Sequence, residues 1–115
     1  MQQTYVDIML QSLRKKIQVL DSIIEQNLIQ KEKLENEQAT ADEFDQTVEK
    51  KAALIEQLEQ LDTGFDKLYD RVRDELSINR HLYADKIRKM QEYIHVITDK
   101  SMEIQAQEAR NRELM

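Results

Sequence analysis

LSINRHLYADKI, residues 76–87, decides the fold of this chain. Before it, Leu54, Leu58, Leu61, Phe65, Leu68 and Val72 alternate steps of four and three, the heptad spacing of a packed helix, with Ile55, Tyr69 and Leu76 beside them. After it, Tyr83, Ile87, Met90, Ile94 and Ile97 keep the same rhythm, followed by Ser101 and Ile104, with Leu82, Tyr93 and Val96 widening the arc. The two rows do not share a frame. A heptad continuation from Leu58 falls on Lys86, whereas the apolar residue is Ile87, so the frame resets between Leu76 and Leu82. Ser77 and Asn79 offer caps there, but no Gly or Pro enforces a break. Two architectures are therefore open. In one, three helices fold up, down and up; in the other, residues 41 to about 112 form one rod of roughly 105 Å at 1.5 Å per residue. A single rod would leave half its apolar stripe uncovered and would need a partner chain.

Upstream, Val6, Leu10, Leu13, Ile17, Leu20 and Ile24 form a third seam that continues through Asn27 and Lys31 to Leu34. Met9, Ile23 and Leu28 broaden it beyond two positions per heptad, which suits a bundle helix with two neighbours. Asn27 and Lys31 interrupt the row. Frayed packing near a helix end, or a solvated flank, is the expected reading, and a register-fixing polar layer is the rival. Thr40-x-x-Glu43 fits a capping box and predicts a turn near residues 37–41. Gly64, the only glycine, lies between Leu61 and Phe65 without disturbing their spacing, so the helix is expected to run through it at a cost of about 1 kcal/mol relative to alanine. Close approach of a neighbouring helix, or the bulk of Phe65, is the expected reason, with a local kink as the alternative. The chain therefore reads as all-α, an antiparallel bundle or coiled coil of three long helices in a single domain 1–115. The helices are predicted over 4–37, 41–76 and 80–110, the second and third being separate or continuous. Beyond Ile104, QAQEARNRELM loses the period, which predicts a frayed tail or a helix cut short.

Composition supports this. Of 115 residues, 35% are charged and 40% hydrophobic, with one Gly and neither Pro nor Cys, the profile of long helices rather than of a disordered chain. The net charge of -6 is concentrated in residues 41–77, which carry 5 basic against 11 acidic groups. That balance disfavours nucleic-acid binding, which needs a concentrated basic face. Without cysteine there is no disulfide framework or thiolate metal site. No basic region with an apolar core opens the sequence, and no run approaches the roughly 18 apolar residues of a membrane span. A soluble, cytoplasmic protein is the expectation.

Little in the sequence points to catalysis. Most of the 23 acidic residues are expected on solvated helix faces in weak i,i+4 pairs. His81 and His95 are fourteen residues apart, too far for the i,i+4 spacing of a helical metal pair. Glu92-x-x-His95 matches one half of a di-iron motif, and no second half exists. One glycine cannot form a phosphate-binding loop. The expectation is a protein that is not an enzyme and has no catalytic residue, no metal and no cofactor. Two function classes are left: a helical protein that presents an apolar groove to an amphipathic partner segment, and a structural coiled coil that self-associates as a spacer or adaptor. The broad apolar arcs favour the first, since a spacer needs only a narrow seam.

The run VEKKAALIEQLEQLDTGFDKLYDRV, residues 48–72, resembles the central region of FlgN-type flagellar export chaperones, especially those of clostridial bacteria. The signature lies at Leu61, Asp62, Gly64, Phe65, Leu68, Tyr69 and Val72. Residues 79–114 resemble the same family's long third helix, with Asn79, Tyr83, Ile87, Ile94, Ile97, Ile104, Glu108 and Asn111 at matching places. The opening helix matches only as a leucine-rich heptad segment. The resemblance implies a cytoplasmic chaperone that holds hook-associated junction proteins of the FlgK and FlgL types unpolymerised and delivers them to the export apparatus. From the charge balance and the lack of a long apolar run, no nucleic acid and no membrane insertion are expected, and a homodimer is left open. By the same resemblance, the client contacts fall toward the C-terminal part, on Ile87, Met90, Ile94, Ile97 and Ile104.

Overall fold

The computed structural model describes residues 4–115, so the first three residues of the expected domain lie outside it. The fold is all-α. It consists of helices α1 (Tyr5–Glu35), α2 (Ala41–Thr63), α3 (Phe65–Asn79) and α4 (Ala84–Leu114), with a short 3-10 turn over Arg80–Tyr83. α2 and α3 follow one another as a single interrupted rod. Cross-helix pairs give the directions. Lys16 meets Asp62 at 2.9 Å and Gln30 meets Thr47 at 3.2 Å, so α1 and the α2–α3 rod are antiparallel. Asp7 meets Lys86, and Asn27 meets Gln107, so α1 and α4 run parallel. The chain thus folds up, down and up into a bundle of 60 × 22 × 20 Å, and the single long rod is excluded.

The reversal falls where the heptad frame resets. Asn79 (φ -133°, ψ 42°) and Tyr83 (φ -109°, ψ 12°) leave helical geometry on either side of the 3-10 turn. Neither expected cap acts there. Asn79 makes no side-chain capping bond, and the Ser77 hydroxyl donates back to the Asp74 carbonyl at 2.8 Å. α3 therefore runs three residues beyond the expected end at 76, and α4 begins at 84 rather than 80.

The turn between α1 and α2 follows its sequence signal. The Thr40 side chain accepts from the Glu43 amide at 3.2 Å, and the Glu43 carboxylate accepts from the Thr40 amide at 2.9 Å. Asn36 Oδ1 accepts from the Gln38 amide at 2.9 Å, an Asx turn that releases the chain from α1. A second capping box, Thr4 with Asp7, starts α1. The start of α1 is also held from across the bundle, where the Glu75 carboxylate of α3 accepts from the amides of Tyr5 (3.2 Å) and Val6 (3.3 Å). A carboxylate at a helix N-terminus satisfies free amides and sits at the positive end of the dipole. Beside it, burial and then the Glu75 charge push the Tyr83 phenol above its ordinary pKa.

Asp7 is bound on its other side by the Lys86 ammonium at 2.6 Å, and this contact first, then the Thr4 hydroxyl, holds its carboxyl below the ordinary range. A carboxylate with a lowered folded pKa contributes stability above its unfolded pKa and loses it as pH falls through the folded value. By NMR titration, Asp7 is expected to protonate below the ordinary aspartate value and to move back toward it in Lys86→Met. The stability difference between the two proteins is expected to close as pH falls into the acid range.

Gly64 interrupts the second rod for one residue, at φ -92° and ψ 0°, and the Leu68 amide donates to its carbonyl at 3.1 Å as α3 begins. No atom of another helix lies within 4 Å of where its Cβ would stand. The expected close approach by a neighbouring helix is therefore absent, and the glycine marks a local break. Its φ is one that alanine adopts freely, so Gly64→Ala is expected to stabilise the protein by about 0.5–1 kcal/mol through loss of unfolded-chain entropy. Chemical denaturation measures this.

The interior changes character along the bundle. At one end Val6, Met9 and Leu13 of α1, Val72 of α3 and Met90 of α4 form an apolar cluster flanked by Leu10, Phe65, Leu68, Leu76, Tyr83, Ile87, Tyr93 and Ile97. Val19, Leu20 and Ile23 carry it to the middle of α1. At the other end Asn27, Gln30, Thr47, Lys51, Gln107 and Asn111 are buried together. Asn27 Nδ2 donates to Gln107 Oε1 (3.1 Å), Gln107 Nε2 to the Ile24 carbonyl (3.3 Å), and Asn111 Nδ2 to the Asn27 carbonyl (3.0 Å) and Gln30 Oε1 (3.2 Å). Gln30 Nε2 donates to the Thr47 hydroxyl, and Lys51 bridges α2 to α4 by pairing with Glu108 at 2.6 Å.

For Asn27 the frayed or solvated reading is corrected, and for Lys31 the solvated flank holds. Asn27 is 1% exposed and belongs to a polar layer, whereas Lys31 is a flank residue paired with Glu35 at 3.8 Å. The C-terminal segment does not fray: α4 continues to Leu114, because Gln107 and Asn111 replace apolar packing with hydrogen bonds to α1. Gln107→Leu, which leaves the Asn27 amide unpaired in the interior, is expected to cost about 1–3 kcal/mol. The exposed Arg110→Ala is expected to stay within about 0.5 kcal/mol by the same denaturation measurement.

Candidate functional site

α1 occupies the middle of the bundle. Both other rods pack on it, yet among the described residues no Cα of α2 or α3 comes within 8 Å of one in α4. At the polar end Lys51 and Glu108 bridge that separation. At the apolar end it stays open as a cleft of about 460 Å³. Its floor is Met9 and Leu13 of α1 with the buried Val72 and Met90. Phe65, Tyr69 and Leu76 form the α3 wall, and Ile87 and Ile94 form the α4 wall. The Phe65 and Tyr69 rings stack with centroids 6.3 Å apart, so Tyr69 is propped along the wall instead of folding into the floor. Tyr69 is 52% exposed and Ile94 51% exposed, an apolar pair facing solvent across the cleft.

The rim is polar and free of carboxylates. Arg73, Ser77, Arg80 and Gln91 edge the cleft, and no Asp or Glu lines it. Arg73 is loosely held by Asp70 at 3.5 Å with both side chains well exposed. A second cavity of about 400 Å³, lined by Arg80, His81, Ala84 and Ile87, adjoins the first through the shared Arg80 and Ile87.

The structure divides the five residues expected to form a binding surface. Ile87, Met90 and Ile94 line the cleft, with Met90 as floor and Ile94 as exposed wall. Ile97 packs against the apolar cluster, and Ile104 is half-buried toward the polar layer. Among the signature residues, Phe65, Tyr69 and Val72 line the same cleft from α3. Leu68 joins the cluster, Leu61 is half-buried, Asp62 pairs with Lys16, and Gly64 makes the break. The two segments singled out by resemblance thus face one another. Met9, Leu13, Leu76 and the arginines were not anticipated as site residues. Met9 carried a signal, as one of the residues that broaden the first seam. Arg73 and Arg80 carried none, because a search along apolar seams passes over their rims.

Glu92 and His95 lie on an exposed face, with His95 Nε2 3.9 Å from Asp99 Oδ2. Among the described residues no three His, Cys, Asp or Glu side chains gather into a metal-holding group. No helix among them is long and apolar enough to cross a membrane. Comparison with protein-family models, curated proteins and solved structures finds no match to this chain.

Proposed function

We propose that this is a non-enzymatic helical binding protein that holds an amphipathic segment of a partner in the cleft between α3 and α4. We further propose that it works as a FlgN-type export chaperone in the cytoplasm, keeping hook-associated junction proteins of the FlgK and FlgL types from assembling before export. The observation that carries this reading is the open apolar cleft: Tyr69 and Ile94 stand half in solvent above a floor of buried side chains. An amphipathic helix that buried them would gain about 1 kcal/mol for each, roughly half the value for full burial of a large side chain, since each is already half covered. Assembly proteins with sticky helical ends need such cover until they reach their destination. A self-associating spacer is less well supported, because α1 already covers the seams that a single long rod would offer to a partner chain.

Calorimetric titration with the C-terminal helical segment of a hook-associated protein tests this. Binding is expected, and Tyr69→Asp and Ile94→Asp are each expected to weaken it at least about ten-fold, the equivalent of 1.4 kcal/mol. Both residues are half-exposed, so circular dichroism and melting should show the folded bundle retained. Unchanged affinity in folded variants would rule out the cleft as the contact surface.

A further inference from the structure

We infer that the cleft selects partner helices that carry carboxylates along the edge of their apolar face, with Arg73 and Arg80 as the reading groups. This rests on the binding role proposed above and adds a chemical specificity to it. The chain carries 23 acidic residues and a net charge of -6, yet neither the cleft nor the adjoining cavity is lined by a carboxylate. Cations are placed there instead. Arg80 makes no ion pair among the described residues, and Arg73 keeps only the long, exposed contact to Asp70. Asp85, the acidic residue closest in sequence beyond the turn, is engaged with Arg88 at 3.0 Å, and Glu75 is committed to the start of α1. Apart from the exposed Asp70 contact to Arg73, no carboxylate pairs with these guanidiniums among the described residues.

The spacing suits a helix. From Phe65 to Arg80 the α3 side runs about 22 Å at 1.5 Å per residue, the length of roughly four helical turns. A helix laid along it would place apolar side chains between Tyr69 and Ile94, and an acidic residue on its flank within reach of Arg73 or Arg80. Guanidiniums bind such carboxylates through paired N–H donors, and because both arginines are exposed the attraction is screened by salt. A second copy of this chain fits less well, since a two-fold pairing of clefts would set one cationic rim, with no carboxylate in its lining, against the other.

The test uses two synthetic amphipathic peptides of about 18 residues, long enough for some helix in water. Both carry leucine at i, i+3, i+4 and i+7; one has glutamate along the flanks and the other glutamine. Each is titrated into the wild-type protein and into Arg73→Gln/Arg80→Gln by fluorescence anisotropy at low and high salt. The glutamate peptide is expected to bind the wild type about five- to ten-fold tighter than the glutamine peptide at low salt. That preference should vanish in the double variant and shrink with salt, while glutamine-peptide binding stays unchanged. Equal binding of both peptides by the wild type would overturn the charge selection and leave the apolar cleft standing. Binding of neither peptide, in a protein that captures no junction-protein segment either, would overturn both readings. Sedimentation showing a dimer that Ile94→Asp dissolves would assign the cleft to a second copy and overturn this inference.

Discussion

The fold depends on one helix having two neighbours. α1 carries an apolar arc wide enough to face both other rods, and each of them packs chiefly on it. A helix with a narrow seam supports one partner; this one supports two. The consequence is an asymmetric bundle in which the two outer rods are joined through α1 more than through each other. Their separation is a direct result of that geometry, and the cleft is the separation made accessible.

The two ends of the bundle answer different needs. At the apolar end, non-directional packing tolerates an opening, because a missing contact costs only its share of buried area. At the polar end, the amides of Asn27, Gln30, Gln107 and Asn111 bond directionally, and the Lys51–Glu108 ion pair spans the outer rods. Buried amides leave few acceptable registers, since a one-turn slip would strand each of them without a partner. The register set at one end therefore fixes which residues face each other at the other end, some 30 Å away at 1.5 Å per residue between Asn27 and Val6. In this way the polar layer determines that Tyr69 and Ile94 confront each other across the opening.

Much of this was legible in the sequence. The three seams, the Thr40–Glu43 box and the frame reset after Leu76 each report a local requirement, and a helix or a turn follows each, although Leu28 and Leu82, read as broadening the apolar arcs, are exposed. Long-range features were not legible. Gln107 and Asn111 look like the end of a helix because their partners are on α1, some 80 residues away. Glu75 reads as one more surface acid until the start of α1 is placed beside it. Gly64 was misjudged in one respect, because a glycine in a helical row suggests a neighbouring helix pressed against it, while here that space is open and the residue interrupts the rod. For the cleft, the resemblance drew attention to Phe65, Tyr69, Val72, Ile87, Met90 and Ile94. The arginines at its rim became visible only once α3 and α4 were known to face each other across it.

Small-angle X-ray scattering with a mass measurement on the same sample tests the central claim, that the chain folds back twice against α1. The account predicts one chain per particle, a radius of gyration close to 18.0 Å and a longest dimension near 60 Å. A particle with a rod-like profile extending to roughly 105 Å, the length of residues 41–112 as one helix, would contradict it.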